Sequence, residues 1–233
     1  MLIGRLIAAA ILLAIPAGAT AKWIGSAEHR LVESQTAATP STGQVAVASA
    51  SDVEYCNPEL KKILRRVLMS CGLMGGDAAR GCQPVQAKNV ATMSGSDFNA
   101  LFRPMKERGG IVQFDKDKSE LDKDDLSLVE KVFADQKGAS YFFVVARASP
   151  EGSVTHNRDL SKARAEAVMS HLKQKFNDPD LEKEVGMLWL GEEFAQLEDE
   201  FCQWRRSSTS ECGGSKNKEL NRSAFVAWID CQL

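Results

Sequence analysis

"ASYFFVVARASPEGSVTHNRDLSKARAEAV", residues 139–168, decides the fold. Its first ten residues are a mostly apolar run, the composition of a strand buried on both faces. Ser149-Pro150-Glu151-Gly152 then breaks the run with turn chemistry. After the loop the period changes to that of a helix over about Asn157–Phe176. Leu160, Ala163, Ala167, Val168 and Leu172 form its inward stripe, with Arg164 at the border.

Working outward, "GGIVQFD" (109–115) reads as a short strand after a glycine pair. "DKDDLSLVEKVFADQKG" (122–138) reads as a helix. Acidic residues crowd its first turn, where the macrodipole favours them, and Gly138 closes it. Leu128, Val129, Val132 and Phe133 would face inward. "GMLWLGEE" (186–193) and "SAFVAWIDC" (223–231) are the third and fourth strands. Strands alternating with helices predict one sheet with helices packed on it.

The N-terminus reads as an export signal. Arg5 precedes an apolar run, Leu6–Ile15, too short to cross a bilayer comfortably. Pro16 and Gly18 break the run, and Ala19-Thr20-Ala21 offers a small-x-small cleavage pattern. An uncleaved anchor over Leu2–Ala17 is the alternative, and a membrane would be touched only through it. Residues 22–52, rich in Ala, Ser, Thr and Val, read as a linker; as a flexible coil they would span roughly 30 Å. Residues 53–108 are a helical, cysteine-containing segment, and the domain proper is 109–233 with an insert at about 194–218.

An exported chain with six cysteines predicts disulfides. "CNPELKKILRRVLMSCG" (56–72) is a helix: Asn57 caps it, Pro58 opens it and Gly72 can end it. Its apolar stripe is Leu60, Ile63, Leu64, Val67 and Leu68, opposite Lys61, Lys62, Arg65 and Arg66. At 1.5 Å per residue its ends lie about 20 Å apart, which excludes Cys56–Cys71. Cys71–Cys82 and Cys202–Cys212 can close local turns, which would leave Cys56 for Cys231. The pairing stays open, but with three cysteines on each side of the central domain full pairing demands at least one bridge from the N-terminal segment to the domain. Zinc would need closer Cys/His spacing.

"IVQFDKDKSEL", the apolar strand, "ASPEGSVTHNRDLSKARAEAV" and "NRSAFVAWI" together resemble the OmpA-like C-terminal domain, shared by OmpA, Pal and MotB. The core match is Asn157, Leu160, Ser161, Arg164 and Ala165, with Asn221-Arg222 as the family's terminal pair. The resemblance spans about Gly109–Leu233. It implies an α+β fold, a two-layer β-α-β-α-β sandwich, here with an N-terminal helical extension. It also implies non-covalent binding of peptidoglycan: an Asp ending the second strand takes the ammonium of diaminopimelate, and the helix Arg takes a carboxylate. A guanidinium fork suits a carboxylate. This chain departs at the Asp. Where the family reads Gly-His-Thr-Asp, it reads Ala146-Arg147-Ala148-Ser149. A hydroxyl carries no charge and Arg147 adds a cation, so affinity should fall unless Glu151 reaches back.

The expected ligand residues are therefore Arg164, Ser149, Asn157, Arg147, Asn221 and Arg222, in a periplasmic or outer-membrane-associated envelope protein. The alternative is a structural or protein-interaction component of an envelope complex. A net charge of −2 offers nothing to nucleic acid. His29, His156 and His171 form no catalytic spacing with Ser, Cys or Asp. "GEEFAQLEDEF" (191–201) reads as a solvated helix face above Phe194, Leu197 and Phe201. No enzyme, metal or cofactor is expected.

Overall fold

The structure is a computed structural model that describes residues 55–71, 84–86, 90, 92–136 and 138–233, which belong to one compact unit within 46–233. The export segment (1–21), the linker (22–52), Gly72 and Cys82 lie outside the described residues.

Helix α1 (Pro58–Ser70) forms as its caps dictate: the Asn57 side chain accepts from the Leu60 N–H at 2.9 Å. Strand β1 (Val85–Gln86), helix α2 (Gly95–Ala100) and a 3-10 turn (Arg103–Arg108) lead to β2 (Gly109–Gln113). Then follow α3 (Lys123–Ala134), β3 (Tyr141–Ala146), α4 (Val154–Phe176), α5 (Leu181–Glu184) and β4 (Val185–Trp189). A 3-10 turn (Asp199–Gln203) and the short α6 (Asn217–Leu220) precede β5 (Ser223–Ile229). The expected order β-α-β-α-β is present as β2-α3-β3-α4-β4. The sheet order is β1-β4-β3-β5-β2. Strands β1 and β3 run parallel to β4, while β5 is antiparallel to both β3 and β2.

Several boundaries differ from the sequence reading. Helix α4 begins at Val154, three residues early, because the Ser153 side chain accepts from the His156 N–H and starts the first turn. Its buried face is Asn157, Ser161, Arg164, Ala165, Val168 and Leu172; Leu160, Ala163 and Ala167 sit beside it, half-buried. Arg164 is thus central to the packed face. Helix α3 ends at Ala134, and Gly138 instead serves a turn at φ 78°. Residues 191–201 are turns and 3-10 structure, although Leu197 and Phe201 are buried as expected. The fifth strand, β1, is two residues long, too short to show a period.

Side chains alternate across the sheet, and both sets are buried. One face (Val112, Phe142, Val144, Val226, Trp228) packs on α3 and α4. The other face (Ile111, Phe143, Val145, Leu188, Phe225, Ile229) packs on α1, Phe98, Phe102, Phe201 and Trp204. The N-terminal extension is therefore a third layer that covers the second face. Burying each such side chain contributes about 1.5–3 kcal/mol, so the layer is integral to the core. A Cβ on Gly186 would lie 3.2 Å from Phe143 and 3.3 Å from Val67, which is why α1 crosses β4 over a glycine.

The third layer is pinned to the last strand. Cys56–Cys231 joins residues 175 apart in sequence. Beside it the Tyr55 hydroxyl donates to Asp230, and Arg108 donates to the same carboxylate at 2.8 Å. The Arg108 guanidinium also lies 5.6 Å from the Tyr55 ring centre. Burial, then the Asp230 hydrogen bond, pushes the Tyr55 phenol up to about 12. Cys202–Cys212 closes its local loop, and Cys71 is also disulfide-bonded.

The polar insert is built onto the sheet. The Ile111 N–H donates to Arg205 O at 2.8 Å, and the Ser207 N–H donates to Ile111 O at 3.0 Å. Arg205–Ser207 thus covers the exposed edge of β2, an edge otherwise open to pairing with other chains.

Chain entropy ranks the two bridges. Replacing Cys56 and Cys231 by serine should cost about 5 kcal/mol, and replacing Cys202 and Cys212 about 3. Urea unfolding of the two double variants checks the order, and equal costs would contradict it. For Tyr55, a phenol with its folded pKa raised above 10 stabilises fully below pH 10. That contribution is lost as pH rises from 10 to about 12. Tyr55→Phe should remove this alkaline loss and the late step in tyrosinate absorbance.

Candidate functional site

The loop between β3 and α4 stands where the resemblance places the ligand. Arg164 projects beneath it from the third turn of α4 and is 1 % exposed. Its Nε donates to Lys118 O at 2.9 Å, one terminal nitrogen to Arg147 O at 2.9 Å, and the other to Asp115 O at 3.2 Å. Phe114 lies under the guanidinium at 5.1 Å. The side chain therefore ties the β2–α3 loop, the end of β3 and α4 together. Burial pushes its pKa down to about 10, which leaves it cationic at neutral pH.

Arg147 does not add a cation to the cleft. It follows the parity of Val145 and faces the third layer, on the side of the sheet opposite α4. It is 2 % exposed, and it donates to Ala195 O at 2.7 Å and to the Asn99 side-chain oxygen at 3.0 Å. Ala195 sits at φ 51°, an uncommon conformation for a residue with a side chain, and its carbonyl is the one Arg147 binds. Desolvation lowers the Arg147 pKa to about 9. Asn221 is structural too: it accepts from the Leu197 N–H at 2.6 Å and donates to Leu197 O and Asn217 O.

Ser149, Asn157 and Arg222 do converge, and Glu151 is what joins them. The Ser149 hydroxyl donates to the Glu151 carboxylate at 3.0 Å, and Arg222 donates to the same oxygen at 2.8 Å. Lys116 stands 4.0 Å from its other oxygen. Asn157 donates to the Glu151 carbonyl at 3.2 Å and to the carboxylate of Glu192. Glu151 thus does reach back, and its carboxylate stands beside Ser149 at the strand end. Arg222 and then Ser149 hold that carboxyl below the ordinary glutamate range. The site's acid is already paired with its own base. An ammonium ligand must displace Arg222 or share the carboxylate with it.

Lys116 and Glu192 were not singled out from the sequence. Glu192 had a signal, since it follows β4 directly at the same sheet end as the β3–α4 loop. Lys116 lies in a run of alternating charges and had none. A cleft of about 350 Å³ adjoins the site, lined by Phe114, Asp115, Glu120, Asp125, Glu219 and Arg222. Asp125 there is explained by folding: its carboxylate accepts from the Asp122 N–H and completes the capping box of α3. Burial raises its pKa, against the lowering effect of the Ser207 hydroxyl. Among the described residues, no group of three or more His, Cys, Asp or Glu side chains is placed to hold a metal ion.

The solved structures to which the chain is similar include two OmpA-type proteins. One is the peptidoglycan-associated lipoprotein from Burkholderia pseudomallei, at 18 % identity and TM-score 0.38, covering 51 % of this chain and 89 % of that one. The other is the OmpA-like domain of FopA1 from Francisella tularensis subsp. tularensis SCHU S4, at 17 % identity and TM-score 0.35, covering 52 % and 74 %. No family model and no curated protein matches the chain.

Arg164→Ala should destabilise the fold by about 3–5 kcal/mol without any ligand, because it leaves buried carbonyls unpaired. A thermal or urea midpoint unchanged from wild type would show that the arginine has no structural role. For Glu151 the folded pKa is depressed, so its pairing is complete above the ordinary glutamate value and is lost as pH falls through the lower folded value. Glu151→Gln should flatten that part of the acid-stability curve.

Proposed function

We propose that the chain is an exported cell-envelope protein whose OmpA-like domain associates with peptidoglycan non-covalently and weakly. The carrying observation is the Glu151 carboxylate, held beside Ser149 at the strand end and half-open to solvent. It supplies the negative charge the strand end lacks, two residues along the chain. An ammonium on a stem peptide would bind there in competition with Arg222. A peptide carboxylate would meet the solvent-facing part of the Arg222 guanidinium, whose side chain is 18 % exposed. Charge-assisted bonds favour both contacts, and the internal Glu151–Arg222 pair lowers the net gain from each. No catalytic role is assigned to any of these groups.

The second reading keeps the fold and dispenses with the wall: a structural or protein-interaction component of an envelope complex. Its supporting observation is that Arg164, Arg147 and Asn221 are all committed to holding loops. Peptidoglycan and other envelope proteins are the two partner classes at issue.

The test is co-sedimentation with purified sacculi of the diaminopimelate type. Wild type should bind in a salt-sensitive way, and Glu151→Gln or Arg222→Ala should each weaken binding roughly tenfold or more. Both are preferable to Arg164→Ala, which confounds binding with folding. Absence of wild-type binding would remove the first reading, and mild crosslinking followed by co-purification would then test the second.

A further inference from the structure

We propose that the outward face of α1 is a docking surface for a bilayer rich in anionic phospholipid headgroups. The roll of α1 is fixed, because Leu60, Ile63, Leu64, Val67 and Leu68 are all buried against the sheet or its neighbours. That fixes what the other side displays. Lys62, Arg65, Arg66 and Met69 follow one another at i, i+3, i+4 and i+7, so they share a single face, and all four are exposed. Lys61 flanks them, half-buried. The helix carries four cations, and Glu59, 4.0 Å from Lys62, is its one carboxylate. The whole chain is net negative, so this concentration of positive charge is local.

Met69 distinguishes a lipid surface from a soluble polyanion. It is 57 % exposed, the most exposed large apolar side chain among the described residues, and it stands directly beside Arg65 and Arg66. A cationic strip ending in an uncovered, flexible thioether fits a headgroup layer, where cations meet phosphates and the apolar tip reaches the acyl boundary. A soluble anionic polymer has no use for the apolar tip. The helix cannot insert further, since its own apolar stripe is occupied by the protein core. Binding is therefore peripheral, reversible and sensitive to salt.

The exported chain, with whichever N-terminus it retains, is co-sedimented with two kinds of vesicle. One is phosphatidylcholine alone, and the other is equal parts phosphatidylcholine and phosphatidylglycerol. A retained apolar N-terminus binds both alike, so the ratio between them reports the basic face. Phosphatidylglycerol should raise binding at least about tenfold at low salt, at roughly fivefold per cation near the surface. Lys62→Glu with Arg65→Glu should reduce that preference about 25-fold or abolish it. The thermal midpoint should stay unchanged, since both residues are exposed and glutamate forms helix as readily as lysine or arginine. Met69→Ser should weaken binding a fewfold on phosphatidylglycerol vesicles, and Glu151→Gln, at the wall site, should leave it as it was. Equal binding to both vesicles, or a preference untouched by the double variant, overturns the proposal. Retention on dextran sulfate beads without vesicle binding also overturns it, in favour of an anionic polymer.

Discussion

A five-stranded sheet with two apolar faces needs two covers, and that requirement organises this protein. Phe143, Val145, Phe225 and Ile229 point away from α3 and α4, and in water they would expose a large apolar patch. The residues before β2 supply the missing cover. They reach it from the far end of the chain, so loop closure over some 170 residues must be offset. The Cys56–Cys231 bridge and the Tyr55–Asp230–Arg108 cluster stand where that offset is most effective, at the junction of α1 and β5. The segment 194–207 completes the cover with Leu197, Phe201 and Trp204, and then runs on to shield the edge of β2.

Two buried arginines hold the loops at the C-terminal end of β3, one on each face of the sheet. Arg164 gathers carbonyls from the α4 side, and Arg147 gathers them from the third-layer side. A guanidinium suits this task because it offers several donors in a rigid fork and stays charged when desolvated. The loop that follows, 149–153, is anchored at its start through the Arg147 carbonyl and at Glu151 by the Asn157 side chain. What remains at least partly open to solvent is the small cluster of Glu151, Arg222, Lys116 and Glu192.

That cluster bears on function through its internal balance. An acid and a base that already satisfy one another form a site with little unmet charge, and any zwitterionic ligand gains only the difference between its contacts and theirs. Any ligand that binds such a cluster is held weakly and in a salt-dependent way.

The sequence by itself determined the elements and the pairing logic. The capping of α1, the buried stripe of that helix and the four main strands were legible, because each follows from local signals and period. Reach along a helix excluded Cys56–Cys71 and left Cys56–Cys231 as one candidate, which the structure selects. The option of Glu151 reaching back to Ser149 was legible as well. Tertiary structure decided the rest. Whether Arg164 borders the packed face or sits at its centre depends on a helix roll set by the sheet, and which side Arg147 takes depends on strand parity. The two-residue β1 exists only because β4 offers it an edge. Most of all, the fate of the sheet's second face was hidden: a run such as "YFFVVA" states that both sides are to be buried, while what buries them is set by contacts between residues far apart in the chain, for which local sequence carries no period.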